Sequence, residues 1–405
     1  MPTGALLHTF PLETELLLRC ARTALDAQEA AAIGACIERR PDWERVLAKA
    51  AWHGLAPLVY ANLHAACPSA VPESVLDRMR AQALSVVEQS LLLTSELGKL
   101  LQRFEAAGIP VLPFKGPLLA VSAYGRLGLR SFDDVDLLVR REDALRAQDM
   151  LSAAGYRPFY RLTPFLRRVH LRKYTELAYG TAEHPVMADL HWGFVPPCYS
   201  FAPALDACWE RLETIALNGT SMQSFNAQDT LRWLCLHGLK HDWERLGWVC
   251  DLSELIRSHA TLPWDELMKA ASQGGHLRMV LLGLRLARDL LGSRLPAAIA
   301  AALEADPRVA RLAARVYHRL ASGNEDRRRP FGISVIYPAA MERARDRWRY
   351  YFNVTLTPTG LEWAAVPLPA ALYPLYYLIR PLRVLGKQGL DLLRRMHFVR
   401  GSKNT

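Results

Sequence analysis

The stretch "RSFDDVDLLV", residues 130–139, places Asp133, Asp134 and Asp136 side by side and then runs into an apolar block. Carboxylates this close repel and raise one another's pKa, so the pattern is costly unless a cation or a ligand offsets it. The apolar block "DVDLLV" reads as a strand, in which residues two apart share a face at about 6–7 Å. Asp134 and Asp136 then point the same way, while Asp133 belongs to the turn or to the other side. Two carboxylates on one face suit hard cations such as Mg²⁺, which take oxygen ligands and leave room for substrate phosphates. A pair of such ions can align an attacking oxygen with phosphorus and neutralise the leaving group.

The pattern around this strand sets the architecture. Apolar residues recur at helical spacing through 12–108, with Gly108 as a stop, so 1–108 reads as a helical N-terminal part. From 109 to 200 the periodicity changes: "IPVLPF", a helix over 116–124, the strand 134–139, a helix over 141–155, then "YTELAYG" and "PVMADLHW" as an antiparallel pair around "TAEHP". That order is an α+β core, a small mixed sheet with helices on it. Residues 201–320 read as a helical domain whose last long helix is stopped by Gly292, and 321–405 as an irregular, proline-rich C-terminal segment that is loop-like over 321–345.

Other carboxylates and cations fall where a phosphate-handling site would need them. Asp189 ends the apolar run "VMADLHW", where a carboxylate is expensive without a partner; it is the candidate third metal ligand and general base. His191, two positions on, shares its face, whereas Trp192 faces away toward the core. Lys115 and Gly116 stand at a strand-to-helix junction, where exposed N–H groups, the helix dipole and an ammonium all favour an anion. Arg130 is the candidate bidentate clamp for a triphosphate, with Ser131 beside it. On the helix "LCLHGLKHDWERLGWVCDLSELI", His237 and His241 stack four residues apart, and Lys240 is a candidate nucleotide contact. No third ligand near the two histidines supports zinc. His53 reads as an interhelical hydrogen-bonding histidine.

Composition narrows the partners. A formal charge of +10 suits phosphate-rich ligands such as nucleotides, nucleic acid or an anionic membrane surface without choosing among them. The arginine-rich "EDRRRP" at 325–330 and the basic end "LRRMHFVRGSK" read as solvated surface. The seven cysteines are scattered and contain no CxxC pair, which fits a reducing cytoplasm better than a disulfide framework. No export signal is read at the N-terminus, where Glu13 and Glu15 interrupt the apolar residues. The proline-broken segment 366–385 is too short in its apolar part for the roughly 20 residues of a membrane span, though its tyrosines and arginines would suit peripheral membrane contact.

The set Lys115, Arg130, Asp134, Asp136 and Asp189, carried on "FKGPLLAVSAYGRLGLRSFDDVDLLV" and "MADLHW", resembles the uncharacterised bacterial nucleotidyltransferase family of the DNA polymerase β-like superfamily. The resemblance runs from about residue 50 onward. It departs from the wider superfamily in having Lys115-Gly116 where a Gly-Ser pair is common. It implies a Mg²⁺-dependent, two-metal transfer of a nucleotidyl group from a nucleoside triphosphate, ATP foremost, to a hydroxyl or phosphate of a small-molecule, natural-product peptide or saccharide acceptor, with pyrophosphate release. Asp134, Asp136 and Asp189 would be catalytic and metal-binding, and Lys115, Gly116, Arg130, Ser131, His191 and Lys240 nucleotide-binding. Two alternatives stay open: a toxin-like enzyme acting on tRNA or protein, and an inactive nucleotide-binding or scaffold protein of the same fold. The absence of a basic stripe interleaved with aromatics disfavours nucleic acid.

Overall fold

The computed structural model describes residues 3–160, 162–181, 186–201, 205–217, 219–322, 334–384 and 386. The turn residues 182–185, the arginine run 325–330 and the basic end 393–403 lie outside them. The fold is α+β, as the periodicities imply. β1 (Val111–Pro113), β2 (Asp134–Val139), β3 (Arg157–Pro158), β4 (Glu176–Gly180) and β5 (Met187–His191) form one mixed sheet in the order β1-β2-β5-β4-β3. β2 and β5 are parallel, and every other pairing is antiparallel. The parallel pair requires a long crossover, supplied by the helix Ala144–Ala153, β3, the helix Pro164–Lys173 and β4 in that order.

The sheet separates two cores. On one face Val135, Leu137 and Val139 of β2, Ala188 and Leu190 of β5, and Leu177 and Tyr179 of β4 are buried against Leu93, Leu97, Leu100 and Phe104. Those four recur at spacings of four, three and four, one stripe of the helix Glu73–Ala106. Ala144, Ala147 and Leu151 add a second helix to this layer. Fully burying each large aliphatic there is worth about 1.5–3 kcal/mol. On the other face Leu138, Leu112 and Phe114 join a larger core that the N-terminal helices share with the helices Ala227–Lys240, Leu246–Ser258, Leu277–Leu291 and Pro307–Ala321. Asn226 caps the first of these, its side chain accepting from Asp229 N at 2.8 Å. Gly292, left-handed at φ 71°, ends the Leu277–Leu291 helix as its position implies.

Three segments differ from the sequence reading. Residues 201–226 are not all helical: β6 (Leu212–Leu217) and β7 (Thr220–Phe225) form a hairpin beside β1, tied to it by Ser224 Oγ donating to the Pro113 carbonyl at 3.0 Å. Its signal is the alternation in "LETIAL" and "TSMQSF" around Gly219, diluted by polar residues on the open face. The expected helix 141–155 is a 3₁₀ turn, Arg141–Asp143, followed by Ala144–Ala153. Within 321–345 the described part contains the helix Ile336–Ala340. In the C-terminal segment Tyr376 is buried and Arg380 pairs with buried Glu362 at 3.1 Å, while Leu378 and Leu382 stay exposed. Among the described residues no helix is long and apolar enough to cross a membrane.

Candidate functional site

Strand register assembles the site. Asp136 sits opposite Asp189 across the parallel pair, and His191 sits opposite Glu176 across β4 and β5. Alternation then puts Asp134, Asp136, Asp189, His191 and Glu176 on the sheet face away from the Leu93–Phe104 stripe. Ligand atoms of Asp136, Asp189 and His191 all lie within 4.8 Å of one another. Asp133 is exposed at the turn, off this face.

Cations close the site from the side. Lys115 has φ 56°, rare for a residue with a Cβ, and Gly116 follows at φ 40° as the first residue of the helix Gly116–Tyr124. This kink between β1 and the helix turns the lysine inward. Its Nζ lies 3.2 Å from Asp136 Oδ1 and 3.4 Å from His237 Nδ1, and 5.4 Å from the ring centroids of Phe114 and Trp233. His191 Nε2 is 3.1 Å from the same Asp136 oxygen. Its Nδ1 lies 3.4 Å from Glu176 Oε2 but forms no hydrogen bond there. Lys240 pairs with Glu176 at 2.5 Å and thus reaches the site's edge through that carboxylate.

The carboxyls divide by environment. Burial, reinforced by Asp136, pushes the Asp134 carboxyl up to about 8. Burial acts on Asp136 too, but Lys115 and His191 outweigh it and hold that carboxyl below the usual carboxylate range. Asp189 is raised, first by burial and then by Asp136 and Glu176. On Glu176 burial is overcome by Lys240 and His191, so it stays ionised. Burial, with Lys115 beside it, drives the His237 ring well below its ordinary value, leaving it a neutral acceptor for the lysine. The face therefore holds one firmly ionised aspartate paired to an ammonium and two aspartates whose charge is opposed. That state accommodates an added cation. Asp189 Oδ1 is buried with no hydrogen-bond partner, an oxygen oriented for a ligand the protein does not supply. Two carboxylates and an imidazole fit a divalent metal.

Arg130 is placed differently from the sequence expectation. Its guanidinium is spent on Asp251, with Nε to Oδ1 at 2.7 Å and Nη2 to Oδ2 at 2.9 Å, and Tyr124 Oη donates to the same carboxylate at 2.6 Å. Only Nη1 is left, buried and without a partner. Ser131 lies next to it on a cavity wall rather than on the carboxylate face. Trp192 is core, its Nε1 donating to the Tyr174 carbonyl at 2.7 Å. His53 links helices as expected, Nδ1 accepting from Leu246 N at 3.3 Å. The His237 and His241 rings lie 4.8 Å apart between centroids, tilted at 55° to each other. Glu176 was missed, and His237 and Asp251, though on the helical stretch singled out above, were not assigned to the site. Glu176 is the one acid in the apolar "YTELAYG", the signal that singled out Asp189, and Asp251 is an acid on an apolar helix face; His237 became meaningful only once Lys115 stood beside it.

A family model described as "Uncharacterised nucleotidyltransferase" matches residues 39–292, which hold the whole sheet, the carboxylates and both cations. The chain belongs to that family. No curated protein matches it.

Proposed function

We propose that this member of the uncharacterised nucleotidyltransferase family moves a nucleoside monophosphate group from a nucleoside triphosphate, ATP the first candidate, to a hydroxyl or phosphate oxygen of a small-molecule, peptide or saccharide acceptor, on a fold of the DNA polymerase β-like superfamily. The observation that supports this best is the single sheet face carrying Asp134, Asp136, Asp189 and His191, with Asp189 Oδ1 buried and unpartnered. A divalent cation, Mg²⁺ or with an imidazole ligand Mn²⁺, held by Asp136, Asp189 and His191 would polarise the phosphoryl oxygens and offset their charge.

The chain's own groups account for the remaining steps. Lys115, between Asp136 and neutral His237, carries its ammonium at the start of the Gly116–Tyr124 helix, where the free N–H groups and the dipole attract phosphate oxygens. Asp189, with its raised carboxyl, takes the proton from the acceptor hydroxyl. The acceptor oxygen bonds to the α-phosphorus, the bond from that phosphorus to the bridging oxygen breaks, and pyrophosphate leaves. The sheet and the Phe114–Trp233 rings keep bulk water from the lysine side of the site.

Thermal unfolding with ATP, CTP, GTP or UTP, with and without Mg²⁺ or Mn²⁺, tests the reading. A ligand at 100 times its Kd stabilises by about 2.7 kcal/mol. At least one triphosphate is expected to raise Tm only when the cation is present, and Asp136→Asn to remove the rise. No cation-dependent rise with any triphosphate would overturn the reading and favour a scaffold.

A further inference from the structure

We infer that the cavity of about 290 Å³ between the helix Glu73–Ala106, the Arg130–Asp133 turn and the helix Leu246–Ser258 is the nucleoside pocket, taking the sugar and base of the triphosphate while its phosphates reach the carboxylate face. This rests on the nucleotidyltransferase reading and adds to it the place and chemistry of substrate recognition.

Position carries the first part. The cavity is lined by Tyr124, the last residue of the Gly116–Tyr124 helix, whose first turn follows Lys115. At 1.5 Å per residue that helix is about 13 Å long, a separation an extended nucleoside triphosphate can bridge. Arg130, Ser131 and Asp133, immediately before the strand that carries Asp134 and Asp136, form the connecting wall. Every lining residue falls within 39–292, the span matched by the family model. A larger cavity of about 980 Å³, walled by Trp348, Arg349 and Phe352 with Arg172 and Lys173, lies largely on residues beyond that span.

Lining chemistry carries the second part. Two arginines, Arg130 and Arg245, are matched by two aspartates, Asp133 and Asp251, so the cavity offers a polyphosphate no excess of positive charge. It offers a neutral ligand polar edges and flat surfaces. Arg130, with its side chain only 10% exposed, has the buried donor Nη1 unpaired, and Gln82 has a buried Oε1 unpaired. Interchanging the two ends of the Gln82 amide would leave an unpaired NH₂ in the same place. One unmet donor and one unmet amide edge on a single cavity, with the rings of Trp248 and Tyr124, match the donor and acceptor edge and the flat face of a nucleobase.

Calorimetric titration of the full chain with ATP, GTP, CTP and UTP, and with tripolyphosphate as the same phosphate chain without a nucleoside, all in Mg²⁺, tests this. Ser85→Phe fills the cavity from an exposed helix position, and Gln82→Leu removes the amide; Tm controls for folding. Wild type is expected to bind at least one triphosphate more tightly than tripolyphosphate. Both variants are expected to weaken that triphosphate by about tenfold or more and leave tripolyphosphate unchanged. Triphosphate affinity unchanged in both variants overturns the inference, and a slower turnover at that unchanged affinity would assign the cavity to the acceptor. Failure of wild type to bind either probe is a separate result, which overturns the nucleotidyltransferase reading and this inference with it.

Discussion

Replacing Asp134 by Asn should stabilise the metal-free protein, and the gain should depend on pH in a defined way. Asp134 has a carboxyl pushed up to about 8 from 3.8, by burial and by Asp136. Well below 3.8 it is protonated whether the chain is folded or not, and costs nothing. Between the two values the unfolded chain ionises it while the folded chain keeps the proton, so the folded state binds more protons and stability falls as pH rises; above about 8 the penalty is complete. A gap of about four pH units corresponds to at most about 6 kcal/mol at 1.4 kcal/mol per unit. Asp134 is only half-buried as a residue, so screening by solvent removes at least half, leaving about 2–3 kcal/mol. Asn mimics the protonated acid and escapes the penalty. Urea unfolding in EDTA at pH 4, 6, 7 and 8.5 should show Asp134→Asn more stable than wild type by a margin that is smallest at pH 4, grows with pH and levels off above pH 8. A gain that is absent at pH 8.5, or the same at every pH, would refute the argument that this face holds uncompensated negative charge.

Three further outcomes follow from the geometry. His191→Gln should fold and weaken Mn²⁺ binding at least about 10-fold, read by electron paramagnetic resonance without nucleotide; unchanged affinity would remove the imidazole from the ligand set. Asp251→Asn breaks the bidentate pair with buried Arg130 and should cost about 3–5 kcal/mol of unfolding free energy, and a loss under 1 kcal/mol would mean Arg130 finds an equivalent partner. Gly238→Ala would bring a Cβ to 2.5 Å from the Trp243 ring, so a fall of about 1–3 kcal/mol is expected from calorimetry, whereas a neutral result would show that the indole can shift.

The strands that carry Asp134, Asp136 and Asp189 were legible because acids interrupt otherwise apolar runs, and such a cost is visible in one dimension. The helical flanks were legible for the same kind of reason, in a period of three to four with Gly108 and Gly292 as stops. The hairpin Leu212–Phe225 was not, since one side of it stays open and polar residues blur the alternation. Arg130 was read as free because its partner Asp251 is 121 positions away and reaches it only through helix packing. His237 is equally remote from Lys115 in sequence. Pairings of that kind depend on which helix crosses which strand, and no local pattern encodes them.

The alternation along β2 ties two tasks to one count of residues. Odd positions from Val135 to Val139 enter the core under the helices, and even positions from Asp134 to Leu138 face the carboxylate site and its flanking core. Inserting or deleting one residue within the strand exchanges the two sets, driving aspartates into hydrocarbon and aliphatics into the cleft. Within this strand, a descendant of this chain cannot shed its chemistry by changing length and still keep its fold. Only substitution can separate the two, so an inactive relative would carry a strand of the same length with its acids replaced one by one.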